Sequence, residues 1–585
     1  MPRKIPFSGK AKKQQLQEKK TKKSAFDIPG RRVQLLRKPE GDDDDDDDSM
    51  IQKINEQPKV RGGKGKPNRY ALQFYKETAE EMRERKELAR KELVPVPEPA
   101  LEINLDDYFD PALHFPTRPP WNFNMSREEL EAREQRYFTE YILDIEKKFN
   151  RRELSYFELN LETWRQLWRV LEMSDIVLVI VDIRYAALMF PPSLHQFVTS
   201  TLKKDMILVL NKVDLAPVPL VVAWTHYFLS RYPGLQVLQF TSFPSYNLRG
   251  STQNKAGANI RRRKGRLRMA AEGAQKLFDV CKAITSGEVD LTSWQNKIKE
   301  EMNLEYDDEE DVEVEETVNL KKVDTSFVDH ERFKGGVLTI GCVGQPNVGK
   351  SSLMNALMGK KVVSVSRTPG HTKHFQTIHL TANVRLCDCP GLVFPSKVPK
   401  SLQVLMGSYP IAQLRDPFSS VQYLAERLDL VKLLKLTHPE GDSTWSAMDV
   451  CDGWALKRGF RTAKAARLDS YRAANHILRM ALDGKIALCL RPPGYHANKE
   501  FWLKHEELKG VLWVQARSTD EGYDEAPHHF IDEEDLSEEE HCEERTGRQL
   551  EQEERESEAG DEADSEDSGE DMAIGNKFNI LASPD

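Results

Sequence analysis

Gly344-Gln345-Pro346-Asn347-Val348-Gly349-Lys350-Ser351 follows the apolar run VLTIGCV (Val337 to Val343) and precedes SLMNALMG (Ser352 to Gly359). A strand, a glycine-rich turn and a helix in that order form a phosphate-binding loop of the pattern GxxxxGKS. Glycines let the backbone curl so that successive N–H groups face phosphate oxygens, and the helix behind adds its positive end. Lys350 is then placed to reach the β- and γ-phosphates, Ser351 to ligate Mg²⁺, and Ser352 to line the same nucleotide site. At average residue frequencies such a match arises by chance in about one chain of this length in fifty. The flanking strand and helix remove most of that chance.

Downstream, Asp388-Cys389-Pro390-Gly391 closes the strand-like run VRLC, 38 residues after Lys350. An Asp at a strand end supports the Mg²⁺ shell in phosphate-loop enzymes, and the glycine N–H can meet a γ-phosphate. Cys387 and Cys389 then read as small residues that tolerate an apolar strand end, in preference to metal ligands. Between the two motifs lies SRTPGHTKHF (Ser366 to Phe375). A threonine there would complete the Mg²⁺ coordination and sense the γ-phosphate. Thr372 is the choice and Thr368 the competitor.

Base choice rests on Asn211-Lys212-Val213-Asp214, behind the apolar run MILVL. Guanine presents an N1–H and N2–H₂ donor pair that the Asp214 carboxylate can accept, and adenine presents no such pair. Lys212 would lie along base and ribose, Val213 completes the loop, and Asn211 would tie it to the phosphate loop. Thr241-Ser242, after LQVLQF, could offer a backbone N–H to the guanine carbonyl. NKVD precedes the phosphate loop by more than a hundred residues, the reverse of the usual order. Asn498-Lys499-Glu500-Phe501 and Asn576-Lys577-Phe578-Asn579 lack the Asp, so no later replacement exists.

The apolar runs IVLVIVD, MILVLNKVD and LQVLQFTS alternate with helix-like segments, the pattern of an α/β sheet covered on both faces. The fold class expected is therefore α/β, a phosphate-loop fold with a mostly parallel sheet flanked by helices and permuted motif order. Residues 125–396 would hold it, with a charged insertion at about 244–334. A mainly helical domain is expected at 397–500. Residues 1–124 are expected to be mostly disordered, a basic arm followed by acidic and charged segments, and 501–585 an acidic tail. LNLETWRQLWRVLEMSD puts Leu161, Trp164, Leu167, Trp168 and Leu171 on one helical face, a stripe suited to packing on a sheet.

The net charge of −9, from 85 basic and 94 acidic residues, hides strong segregation. Asp42 to Asp48 and the region beyond Ile531 are acidic, while the first residues and RRRKGRLR (Arg261 to Arg268) are basic. Such blocks bury too little apolar surface to offset backbone entropy. No apolar run approaches the roughly 20 residues of a membrane-spanning helix, and the charged start does not read as a signal peptide. Seven scattered cysteines show no zinc-type pairing of CxxC motifs, so a soluble, intracellular, reduced chain is expected.

With these residues in hand the sequence resembles the circularly permuted GTPases of the YlqF/YawG family, from about Leu154 to Pro493. The shared set includes NKVDL, GCVGQPNVGKSSL, SRTPGHTKHFQT, LCDCPGL and YPIAQLRDP. Family members often read DARxP where this chain has Asp182-Ile183-Arg184-Tyr185-Ala186, a departure expected to matter little because it lies outside the nucleotide motifs. The resemblance implies GTP and GDP as ligands and GTP hydrolysis with Mg²⁺. Leu392 stands where related proteins place a water-orienting glutamine, so hydrolysis would be slow or rely on another group, with His371, Lys373 and His374 nearby. Asn347 occupies a position that ligates an activating K⁺ in similar GTPases; an Asn favoured by a tight loop reads equally well. The family also implies rRNA or pre-ribosomal particles as partners. The N-terminal basic arm and Arg261 to Arg268 could neutralise phosphates or act as nuclear or nucleolar address signals, with the cytoplasm as the alternative location. A non-catalytic GTP-binding scaffold or signalling module is the second reading, and an ATPase or kinase with an accidental NKVD the third.

Overall fold

The computed structural model describes residues 51–54, 72–241, 272–303, 331–359, 362–363, 365, 375–462 and 466–515. Two short strands, β1 (Ile51–Ile54) and β2 (Leu72–Tyr75), pair antiparallel. The central sheet is built from β3 (Ile176–Asp182), β4 (Asp205–Asn211), β5 (Gln236–Gln239), β6 (Leu338–Val343), β7 (Gln376–Thr381) and β8 (Val384–Asp388), in the order β5-β4-β3-β6-β8-β7. All neighbours are parallel except β7 and β8. Every residue of β3 and β6 is buried, as a strand covered on both faces requires. Register sets Asp182 beside Asn211 and Cys342 beside Asp388. The ends of β3, β4, β6 and β8 therefore open on one edge, where ligands of parallel sheets bind.

The described helices of eight or more residues are, in chain order, α1 (Ala79–Leu88), α2 (Arg127–Lys148), α3 (Leu161–Met173), α4 (Val218–Arg231), α5 (272–285), α6 (Thr292–Asn303), α7 (Lys350–Met358), α8 (Phe418–Ala425), α9 (Ala447–Arg458), α10 (Ser470–Leu482) and α11 (Leu508–Gln515). Trp164, Leu167, Trp168 and Leu171 of α3 are buried, as their spacing predicts, and α3 packs on β6. Helix α4 is buried from Val218 to Thr225, and its Trp224 Nε1 donates to Leu490 O at 3.1 Å. Helices α8, α9 and α10, of about 2 to 4 turns each, pack on one another and extend the same core.

Three sequence expectations need correction. Residues 72–124, read as mostly disordered, bury Phe74, Leu101, Ile103, Leu105 and Phe115. Much of this segment runs without helix or strand and is held backbone to backbone: Leu93 N donates to Trp445 O, Ile103 N to Arg491 O and Arg491 N to Leu101 O. Such a strap has no hydrophobic period to read. Within the expected insertion, α5 and α6 bury Phe278 and Trp294, and Lys297 Nζ donates to Met358 O at the end of α7. Finally, the acidic tail begins later than expected, because α11 buries Leu508, Val511, Leu512 and Gln515. The basic arm and Arg261 to Arg268 lie outside the described residues. No described helix is long and apolar enough to cross a membrane.

Candidate functional site

At the end of β4 the NKVD loop is held from three sides. Asn211 Nδ2 donates to Val348 O of the glycine-rich loop at 2.7 Å, a buried bond across 137 residues of sequence. Lys212 takes a left-handed backbone (φ 58°) and its Nζ lies 2.9 Å from Asp182 Oδ2. Thr241 Oγ1 donates to Asp214 Oδ1 at 2.6 Å. Burial pushes the Asp214 carboxyl above its ordinary range, and the Thr241 hydroxyl opposes that rise. Gln515 of α11 donates from Nε2 to Val213 O at 2.7 Å and Ala216 O at 2.9 Å. The loop is thus set before any ligand arrives.

The segment after β3, read from sequence as peripheral, is central to this arrangement. Asp182 is fully buried and accepts from Arg184 Nε at 3.0 Å and Arg184 Nη2 at 2.8 Å. Burial disfavours its charge, but Arg184 and Lys212 outweigh that and hold the carboxyl far below the usual range. Arg184 also donates through Nη1 to Ala481 O at 2.7 Å, at the end of α10. A chain of contacts therefore runs from the NKVD loop through Asp182 and Arg184 to the C-terminal helices. The correction has a physical cause: a motif's ligand role can be read from sequence, but a partner 297 residues away cannot.

The glycine-rich loop turns between β6 and α7. Gly349 has φ +94°, and a Cβ there would stand 2.4 Å from Asn211 Nδ2, so conformation and space both demand glycine. A Cβ on Gly391 would meet Pro346 N and Cα at 2.9 Å, which brings the DCPG turn flush against the loop. Leu392 N donates to Gly344 O at 3.3 Å, and the Leu392 side chain is fully buried. Lys350 Nζ donates to Gly344 O at 3.1 Å and Gln345 O at 2.8 Å. The loop is braced from behind by the segment after Lys400: Asn347 Nδ2 donates to Gly407 O at 3.0 Å and Ser408 Oγ to Gln345 Oε1 at 2.8 Å.

Asp388 is the exception to this pairing. Both of its carboxylate oxygens are buried and neither has a hydrogen-bond partner among the described residues. Burial raises its pKa to about 6, with Lys350 and the nearby Ser351 acting in the opposite direction. Burial likewise lowers the Lys350 pKa against the pull of Asp388. A buried orphan carboxylate costs about 1–3 kcal/mol or more, and a serine hydroxyl with a carboxylate is a hard-oxygen donor set suited to a small divalent cation. The residues present fit Mg²⁺. Val348, Cys389 and Pro390 are buried and Ser352 is half-buried. Ser242, Thr368, His371, Thr372, Lys373 and His374 lie outside the described residues. Sequence reading missed Asp182, Arg184, Gly407, Ser408 and Gln515; only the DxR spacing after a strand gave any signal.

The family model described as "50S ribosome-binding GTPase" matches residues 339–431. Over 551 residues the chain is 46% identical to guanine nucleotide-binding protein-like 1 of Rattus norvegicus, covering 88% of this chain and 90% of that protein. This chain belongs to the guanine nucleotide-binding protein-like 1 family. As a member it is a GTP-binding protein of the GTPase class, with GTP and GDP as ligands and a nucleotide site of the kind that generally uses Mg²⁺. The Homo sapiens member is 46% identical over 550 residues. A more distant relative is large subunit GTPase 1 of Saccharomyces cerevisiae, 32% identical over 423 residues, 69% of this chain and 62% of that protein. The crystal structure of GNP-bound YlqF from T. maritima superposes with a TM-score of 0.31 at 17% identity, over 56% of this chain and 97% of that one.

Proposed function

We propose that this family member is a GTP-hydrolysing switch whose turnover is slow alone and is raised by a monovalent cation or a partner. One observation carries the reading. Leu392, at the position where a glutamine would orient the attacking water, is sealed in the core, so no side chain at that position serves the water. In this reading Asp214 accepts the guanine donor pair, Lys212 lines the base, and Gly344 to Ser352 cradle the phosphates. Lys350 leaves the loop carbonyls for the β- and γ-phosphates, and Gly391 offers its N–H to the γ-phosphate. Ser351, Asp388 and Thr372 would hold Mg²⁺, which supplies charge neutralisation on the phosphate oxygens. Asn347 keeps its Nδ2 on Gly407 O, leaving Oδ1 as the amide's acceptor for K⁺.

The test is GTP turnover in K⁺ and in Na⁺ buffers, wild type against Asn347→Ala. Faster turnover in K⁺ that disappears in the variant supports the reading. Equal turnover in both ions with either protein contradicts the cation's part in it. Tight GTP binding with no turnover under any condition favours the scaffold reading, which the burial of Leu392 also suits.

The proposed partner is rRNA or a pre-ribosomal particle in the nucleus or nucleolus, met by the basic arm and Arg261 to Arg268. The support is the charge of those segments and the names of the matching family model and the yeast relative. Binding through phosphate contacts must weaken steeply as salt rises. RNA association that is indifferent to salt would exclude these segments as the contact.

A further inference from the structure

In the second half of α4, where α11 and the helix before it pack, three side chains converge that the nucleotide site does not use. His226 projects from α4, while His505 and Glu507 come from the turn between the helix Lys499–Leu503 and α11. Each offers one ligand atom, and these atoms all lie within 4.8 Å of one another. His226 Nε2 is 3.2 Å from Glu507 Oε1, and the two imidazole rings are 4.8 Å apart between centroids. We propose that His226, His505 and Glu507 form a zinc-type divalent metal site that fastens α11 and the helix before it onto α4.

Bond lengths of about 2.0–2.1 Å in a tetrahedral centre place neighbouring ligand atoms about 3.3–3.4 Å apart. The His226–Glu507 separation already has that value, and the third ligand needs an approach of about 1.5 Å, within the reach of partly exposed side chains. The donor set points to the metal class. Two imidazoles and one carboxylate suit Zn²⁺ and its first-row neighbours, whereas Mg²⁺ and Ca²⁺ prefer all-oxygen shells. Three protein ligands leave a fourth position for water. His505 Nδ1 accepts a long contact of 3.3 Å from Glu507 N, weak enough to yield to a metal or to a change of tautomer.

The surroundings add a second observation. Phe501 and Trp502 lie 5.4 Å and 5.9 Å from His505 between ring centroids, and Trp502 lies 5.7 Å from His226. The Trp502 Nε1 donor is buried and has no hydrogen-bond partner among the described residues. Aromatic rings and an unmet donor beside two imidazoles are suited to a metal and its water. A surface His–Glu pair alone is worth at most about 1 kcal/mol and gives no reason for a second imidazole.

The location gives the site a consequence. Helix α11 carries Gln515, which holds Val213 O and Ala216 O. A metal that fixes α11 on α4 therefore braces the NKVD loop from outside the nucleotide pocket. The metal proposal itself does not depend on the nucleotide roles.

The full-length chain, stripped with chelator and free of nucleotide, is titrated with Zn²⁺ by calorimetry and with Co²⁺ followed by its visible d–d absorption. Wild type is compared with His226→Ala, His505→Ala and Glu507→Gln. The histidine pairs elsewhere, such as His528-His529, and the His541-Cys542 pair remain in all four proteins, so the difference is the readout. The expected result is one fewer metal per chain, or at least about tenfold weaker binding at one site, in each histidine variant, with the tetrahedral Co²⁺ bands reduced. Glu507→Gln weakens the site while keeping the shape of the turn, and it stands in if a histidine variant folds poorly. Four proteins with the same stoichiometry, affinity and Co²⁺ spectrum would overturn the proposal.

Discussion

The two ends of the nucleotide edge solve the same problem in opposite ways. At the NKVD end most polar groups have a protein partner: Asn211 bonds to Val348, Lys212 to Asp182, and Asp214 to Thr241. At the phosphate end Asp388 is buried with both oxygens unmet, and Lys350 is desolvated on loop carbonyls. The first end is a preformed shape whose recognition comes from geometry. The second stores uncompensated polarity that a phosphate with its cation would satisfy. Substitutions should therefore part company: those at the first end cost folding stability, and those at the second cost binding while sparing or raising the stability of the free protein.

The largest effect should follow Arg184→Met. It leaves Asp182 buried with Lys212 alone, and breaking one partner of a buried pair costs about 3–5 kcal/mol. Urea unfolding should register that loss, together with weaker GTP binding because Asp182, on which Lys212 rests, loses the bonds that fix it. A loss below about 1 kcal/mol would show that the contacts reaching α10 are ornamental.

Asp388→Asn should act in the other direction. Removing a buried carboxylate whose desolvation outweighs the pull of Lys350 and Ser351 should raise the stability of the nucleotide-free protein at pH 7.5 by about 1–3 kcal/mol. The same variant should bind GTP no better with Mg²⁺ than without it. A destabilised variant that still responds to Mg²⁺ would remove the contrast between the two ends.

Glu158 supplies the control. It too is fully buried with an orphan oxygen, Oε2, but its Oε1 accepts from Gln73 N and Asn160 N. Burial raises its pKa to about 8. A pKa raised on folding contributes stability that is complete below the unfolded value near 4.5 and is lost as pH rises toward 8. Relative to Glu158→Gln, wild type should lose about 1 kcal/mol between pH 6 and 7. Mg²⁺ should leave that difference unchanged. A flat difference across this range would mean that the carboxyl is hydrated.

The fold and the gathering of the motif loops on one edge were legible because they depend on local order. Apolar runs ending in NKVD, GxxxxGKS and DCPG specify parallel strands with loops on one edge, and β3, β4, β6 and β8 follow that reading. The supports were not legible, since they depend on distant partners. Residues 93–103 are fixed by carbonyls near 426, 445 and 491, and Gln515 acts from a region whose composition resembles a tail. A strap with no period and a helix of eight residues give periodicity nothing to detect. The permuted order was visible in the motifs, but its consequence was not. The segment after DCPG returns to touch both loops, through Gly407 and Ser408 at one and through Gln515 at the other, while its Ala481 carbonyl accepts from Arg184.

The most direct test is the binding of Asp214→Asn to GTP and to xanthosine triphosphate, measured by calorimetry beside wild type. Xanthine replaces the guanine amino group with a carbonyl, so an amide that can donate should accept it where a carboxylate cannot. GTP affinity should fall by about tenfold to a hundredfold, with xanthosine triphosphate now the better ligand. Unchanged GTP affinity, with no gain for xanthosine triphosphate, would contradict the claim that the NKVD loop, placed before the phosphate loop in this chain, reads the base.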